Sequence, residues 1–459
     1  MDVLFESLIP FFIILLTLMV VHEAAHYCTA KLFGVTVLEA GIGLPPKVWG
    51  VMWRGTEYSI NAIPFGAFVR MLGEEDPTAP TSLAAQPKWK RIIIIGSGAF
   101  ANLVLAIVLF TISLMVPHEV AAGGAAIADV APQSPAQAAD LRAGDEIVEV
   151  NGRDVKNVGE ASYLIRLHQG STIDITIERT DPQSGSKIVE TKRVYSRWDP
   201  PAIEDECGVP EQQGPTGIRL QSTSAQPVSL TQEERQDLFD ANKKAFSQYR
   251  EEIDPGAPEW CFGGAEFGFS PLTAAQCDAL GEEQRAEAIA LRDELFPNSR
   301  FPCFEWRPGT FYETITDTES SGPIQAMRDG TRLAFESLIL MRNQVWILLR
   351  GFDSISPITG PVGIAQATGE VVDVAGWEAL IAFAASISMS LAVLNFLPLP
   401  MVDGGRLFFI FIEFVRGRRI APEKEALVHL IGFATLVAIA AIITYFDIVR
   451  IVNGDSLLR

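Results

Sequence analysis

Two short stretches carry the residue types that metal-assisted hydrolysis needs: His22-Glu23-Ala24-Ala25-His26, and the run from Asn395 through Pro398, Pro400 and Asp403 to Gly404-Gly405. In a helix, side chains four residues apart share a face, so His22 and His26 can hold one metal ion through their imidazoles. Glu23 lies one position on, close enough to accept a proton from a water on that ion. The chain has five histidines, and no other two share a helical face. Two imidazoles do not complete a catalytic zinc site, which usually takes three protein ligands plus water. Asp403 is the candidate third ligand. Pro398 and Pro400 cannot continue a regular helix, and the paired glycines after Asp403 permit unusual backbone angles. The plainer alternatives are polar groups capping a helix end and a solvated aspartate at the membrane interface.

The elements that must position these residues are apolar. Four stretches reach or approach the roughly 20 residues of a membrane span. The first begins near Ile9, is apolar to Val21 and stays helix-compatible to about Phe33; the second runs from Ile92 to Val116. The third covers about Trp377 to Leu397 and the fourth about Ala426 to Phe446. The expected fold class is a polytopic α-helical membrane protein with four transmembrane helices. Spans one and three run in the same direction, so the histidine pair and Asp403, 377 residues apart from His26, reach similar depth on the same side. Ionisable groups and irregular backbone at membrane depth are costly, which marks both motifs as functional candidates. The first span lacks a basic region before it and a small-residue cleavage site after it, so it is expected to remain in place. The stretch Leu333 to Leu349 carries Glu336, Arg342 and Asn343 and fits an amphipathic helix at the membrane surface or packed on the protein.

Composition bounds the rest. At 459 residues, roughly three units are expected. A formal net charge of −20 argues against nucleic-acid binding, and 48% hydrophobic residues exclude a disordered acidic chain. Lys and Arg crowd the connections between spans one and two and between spans three and four, which assigns 34–91 and 406–425 to the cytoplasm. The N-terminus, the long segment from about Pro117 to Gly376 and the C-terminus then face outside. Cys207, Cys261, Cys277 and Cys303 all lie in that outward segment, where two disulfides are expected with three possible connectivities; reduced buried cysteines are the alternative. No CxxC spacing favours a zinc knuckle there. Within 117–198, short strands, a helix and an Asn151-Gly152 turn describe a small β-rich domain. The Gly214–Leu220 run fits either a remnant of a second such domain or a return strand of the first. The segment 199–322 is an acidic, cysteine-containing insertion of unassigned fold, with a helix-like charged patch from Thr231 to Ile253, and 323–376 holds the amphipathic helix and a connector.

The pairing of HExxH with a late NxxPxPxxDG resembles the bacterial site-2 proteases, zinc intramembrane metalloproteases. The blocks GVTVLEAGIGLPPKVWG from Gly34, PFGAFVRMLGEEDP from Pro64 and GPVGIA from Gly360 are similar to that family's, as are Gly98 and Asn102 in the second span. Ala99 and Val402 depart from it at positions that are not ligands. The resemblance implies Zn²⁺ held by His22, His26 and Asp403, with Glu23 as the catalytic base. It also implies substrate contacts from Asn395 and Asn102; satisfying backbone freed by Pro398 is an equal alternative for Asn395. It further implies a membrane-reentrant β-hairpin within 34–91, where an ordinary loop is the alternative, and an extracytoplasmic PDZ domain for 117–198. The implied partners are single-pass membrane substrates such as anti-sigma factors or remnant signal peptides, an upstream site-1 protease and the bilayer of a bacterial inner membrane. Two rival classes are a transporter, which predicts internal repeats that are not visible, and a catalytically silent PDZ scaffold, which would not need an intact HExxH.

Overall fold

A computed structural model describes residues 7–74, 76–180, 185–204, 210–224, 226–227, 269–272, 277–295, 302–306, 312–313, 315–350, 360–418 and 420–453. Cys207, Cys261 and the charged stretch from Thr231 to Ile253 lie outside the described residues. The chain forms two compact units rather than three: one from residues 1–119 and 318–459, the other from 120–317.

In the first unit four helices are long and apolar enough to cross a membrane: Ile9–Leu32, Lys88–Met115, Ala379–Phe396 and Glu423–Val449. They fall in α1 (Ile9–Leu32), α2 (Lys88–Met115), α8 (Ala379–Phe396) and α10 (Pro422–Asn453). Their apolar side chains point largely outward; Ile13, Phe100, Leu430 and Ile442 are examples, as expected of surfaces that meet lipid tails. Where the helices meet one another, alanines recur among larger side chains. Ala106 and Phe110 of α2 pack with Ala385 and Met389 of α8 and with Ala334 of α6 (Pro323–Arg350), and small side chains let backbones approach closely where no hydrophobic effect draws helices together. The amphipathic stretch expected at 333–349 is thus part of a 28-residue helix packed on the protein.

Between α1 and α2 the chain builds a sheet rather than a loop. β1 (Val37–Trp53) and β2 (Thr56–Met71) are each long and interrupted, so that Val37–Ile42 is paired on both sides, with Met71–Ala67 and with Glu57–Ile60, while Lys47–Trp53 pairs with Thr56–Asn61. The break in β1 falls at Pro45-Pro46, which cannot donate to a ladder. The tip presents Val48, Trp49, Met52 and Trp53, all more than half exposed, whereas the base inserts Val37 and Met71 into a core with Ala30, Ile94, Ile95 and Ile410.

After α6, the helix α7 (Pro361–Ala375) begins at the Gly360-Pro361-Val362-Gly363 block. Its exposed N–H groups are taken by Asp447 of α10, whose Oδ2 accepts from Gly360 N at 3.0 Å and Gly363 N at 2.9 Å. A carboxylate on the first turn of a helix answers both the orphan donors and the dipole. The expected basic loop at 406–425 is mostly helical: α9 (Asp403–Arg416) starts at Asp403 itself. Its amphipathic pattern explains this, with Ile410 and Glu413 buried and Phe411, Phe414 and Val415 exposed. Arg91 Nη1 of α2 meets Glu413 Oε2 at 2.8 Å and ties α9 down.

The second unit is built on one antiparallel sheet whose strands, in spatial order, are Ile218–Ser222, Ala125–Val130, Glu146–Val150, Thr172–Thr180 and Lys187–Tyr195. The chain supplies β3 (His118–Ala121), which pairs with Thr316–Glu319, then β4 (Ala125–Val130), the single turn α3 (Pro135–Ala138), β5 (Glu146–Val150) and β6 (Arg153–Asp154). Next come α4 (Val158–Leu167), β7 (Thr172–Thr180), β8 (Lys187–Tyr195), the short β9 (Ala202–Glu204) and β10 (Pro210–Gln212), and β11 (Ile218–Ser222). Alternating residues Ile173, Ile175 and Ile177 of β7 are fully buried with Ile127, Ile147 and Leu164, each worth about 1.5–3 kcal/mol on burial. β11 pairs with β4 through Ile218↔Val130 and Ser222↔Ala125, so the Gly214–Leu220 run is a return strand of the same sheet, which extends past residue 198. Farther on, α5 (Glu282–Leu295) precedes Cys303, which is disulfide-bonded to Cys277.

Candidate metal centre

His22 and His26 project from the same face of α1, near its C-terminal third, and Asp403 reaches them from the first turn of α9. The Nε2 atoms of the two histidines are 3.1 Å apart. Asp403 Oδ2 lies 3.1 Å from His22 Nε2 and 3.2 Å from His26 Nε2. The three atoms form a nearly equilateral triangle. A tetrahedral zinc ion, bonded to such atoms at about 2.0–2.1 Å, needs donors spaced by about 3.3 Å, so the constellation fits. The side chains of His22, His26 and Asp403 are 12%, 7% and 16% exposed, which leaves little water to separate them.

Protons sharpen the case. His26 Nδ1 sits 2.8 Å from the carbonyl oxygen of Ile94 in α2, which can only accept, so Nδ1 holds a proton and, in the neutral ring, Nε2 points a lone pair at Asp403. A lone pair facing a carboxylate oxygen at 3.2 Å is repulsive unless a proton or a metal ion lies between them. His22 is held in a parallel manner: Asn102 of α2, 1% exposed, places its amide 3.4 Å from His22 Nδ1. Its Oδ1 is buried without a hydrogen-bond partner. Turning the amide over, which exchanges two atoms of nearly equal size, aims that oxygen at Nδ1 and gives His22 the same tautomer as His26. Asn102, expected at the substrate, therefore stands behind a histidine. Gly98, one turn earlier, clears the way: a Cβ there would come within 2.4 Å of His26 Nε2 and 2.6 Å of His22 Nε2.

Asp403 is delivered by the break that its prolines predict, but by a different backbone device. α8 ends at Phe396, and the left-handed residue in the connection is Met401, at φ +78°. Gly404 and Gly405 are helical instead. They are required by close approach, since a Cβ would lie 2.0 Å from Leu397 O at the first and 2.1 Å from Leu399 O at the second. The helix α9 thus folds tightly back on the connection, with Asp403 at its start.

Glu23 interacts with both histidines, with Asp403 and with the backbone N–H of Val69 in β2, so the sheet between α1 and α2 reaches the site. Asn395 is half-buried in the last turn of α8, and among the described residues no side-chain hydrogen bond ties it to His22, His26 or Asp403. The Ile94 carbonyl was not identifiable from the sequence, because every residue carries one.

The arrangement has relatives. Residues 10–439 match Peptidase family M50. A Thermotoga maritima protein named "Putative zinc metalloprotease" is 25% identical over 97% of this chain and 99% of its own length. Proteins of Clostridium perfringens and Vibrio cholerae with names of the same kind are 27% and 28% identical, over 94% and 97% of this chain and 95% and 99% of theirs. With a family match spanning nearly the whole sequence and a metal-competent triad in place, the chain belongs to Peptidase family M50.

Proposed function

We propose that the protein is a zinc-dependent endopeptidase that hydrolyses peptide bonds within the transmembrane segments of membrane proteins already trimmed by a site-1 protease. Anti-sigma factors and remnant signal peptides are the substrate classes that fit. The observation that carries the reading is the convergence of His22 Nε2, His26 Nε2 and Asp403 Oδ2 to within 3.2 Å from helices far apart in sequence, with Glu23 beside them. Three protein ligands leave a fourth position open, the pattern of catalytic rather than structural zinc. The relatives' names point to the same metal.

Zinc held there supplies Lewis-acid polarisation of the scissile carbonyl and of the attacking water. The protein's own residues do the rest. Glu23 takes the water's proton on its carboxylate and returns it to the departing amine, the general-base and general-acid roles in turn. Ile94 O and Asn102 fix the imidazole tautomers. The outer strand of the β1–β2 sheet beside Glu23 suits an unwound substrate, which can add to it as a strand, and Asn395, in the last turn of α8, suits a positioning role. The exposed Val48, Trp49, Met52 and Trp53 suit a sheet dipping into the bilayer from the cytoplasmic side. The β4–β11 sheet with α4 suits a PDZ-like module outside an inner membrane, with both termini on that side.

The deciding experiment is Glu23→Gln in the full chain, measuring zinc content and cleavage of a membrane-anchored reporter. The expected result is zinc retained and cleavage reduced by about 10³-fold or more. Full cleavage in the variant would remove the enzyme reading.

A further inference from the structure

The connection that presents Asp403 is held by a residue with no assigned role. Between the end of α8 and Asp403 the chain has few backbone donors, because Pro398 and Pro400 have none. Leu399 N–H turns back to Leu397 O at 2.7 Å. Met401 N–H instead leaves the connection and donates to Nδ1 of His429, at 2.9 Å, 28 residues on and in the candidate span α10. Met401 is also the residue at φ +78°, a conformation that side chains other than glycine seldom adopt and that therefore needs outside support.

His429 is itself fixed from the other side. Its ring packs on Phe409 of α9, with centroids 5.4 Å apart. One turn further along α10, Gly432 lies so close to the connection that a Cβ would be 2.1 Å from Pro400 Cβ. One face of α10 thus meets the peptide bonds just before Asp403 and the helix just after it. A single histidine in an apolar span is costly without such a task.

We propose that His429 is a positioning residue for the metal centre: by accepting the Met401 N–H it locks the left-handed turn that sets Asp403 Oδ2 at coordination spacing from His22 and His26. The fourth span contributes no ligand, yet through this contact it fixes the third one. The inference rests on the reading of that triad as a zinc site.

Variants of the full chain in detergent test it, with zinc affinity measured by chelator competition alongside reporter cleavage. His429→Phe keeps a ring against Phe409 and removes the acceptor. It should weaken zinc binding about tenfold, the lower end of what loss of an outer-shell partner costs, and reduce kcat with KM unchanged. His429→Asn places Oδ1 where Nδ1 stands and should restore affinity to within about twofold. Gly432→Ala keeps the imidazole but displaces Pro400, and should resemble His429→Phe; it decides the matter if His429→Phe does not fold. Leu430→Ala, on the exposed face of α10, should match the wild type. Wild-type affinity in both His429→Phe and Gly432→Ala would overturn the proposal. If His22→Ala binds zinc as well as the wild type, the metal-centre reading itself has failed and the positioning role falls with it.

Discussion

Asp145 of the second unit and Asp403 of the first are both largely shielded from water, yet they are of very different kinds. Asp145, in the second unit, is 2% exposed and fully answered: Arg179 donates from Nε at 2.6 Å and from Nη2 at 2.7 Å, and the Arg142 N–H donates at 2.8 Å. The carboxylate in turn holds the Arg179 guanidinium more firmly protonated than a free arginine. Asp403, in the first unit, faces two imidazole Nε2 atoms, and the His26 ring spends its Nδ1 proton on the Ile94 carbonyl instead. A buried charge whose partners are complete is structural. A buried charge that faces imidazole nitrogens is answered by a proton or by a metal ion between them. Burial alone does not tell the two apart; the proton count around each does.

Substitutions can set the two aspartates against each other. The largest effect is expected from Asp403→Asn, which keeps the shape but removes the ligand's charge. Zinc affinity should fall by about 10³-fold or more, while the unfolding of the second unit, followed by hydrogen exchange, stays as in the wild type. Zinc retained at wild-type affinity would show that Asp403 resembles Asp145 after all. Next comes Arg179→Leu, which strands Asp145 as a buried unpaired charge. The second unit should lose about 3 kcal/mol, with zinc content unchanged. A negligible loss there would mean that water reaches Asp145. The smallest effect, about tenfold in zinc affinity, is expected from Asn102→Leu, since His22 would keep its place but lose the partner of Nδ1. A larger effect on KM than on affinity would return Asn102 to the substrate role that its motif first implied.

Much of this was legible from residue types and spacing. The HExxH spacing dictated a shared helical face, and the four apolar runs dictated spans whose directions bring His26 and Asp403 together. The short strands and the Asn151-Gly152 turn within 117–198 dictated a small β-rich domain. These are local or periodic signals, and the physics behind them operates within a few residues. The errors arose where a contact crosses the sequence. Gly404 and Gly405 suggested backbone freedom, yet their lack of a side chain serves the close approach of Leu397 and Leu399. The 406–425 stretch suggested a loop because its basic residues cluster there, and α9 forms because Ile410 can be buried against α1 and α2.

Residue chemistry and periodicity thus settled which atoms could bind a metal and which helices would carry them, because donor type and helical phase are properties of the chain alone. The folded structure decided that His26 Nδ1 meets the Ile94 carbonyl, that Asn102 stands behind His22, and that Met401 N–H donates to an isolated histidine in the last span. Each of these depends on a partner tens to hundreds of residues away. Such a pairing is set by how helices pack, and no local pattern in the chain encodes it.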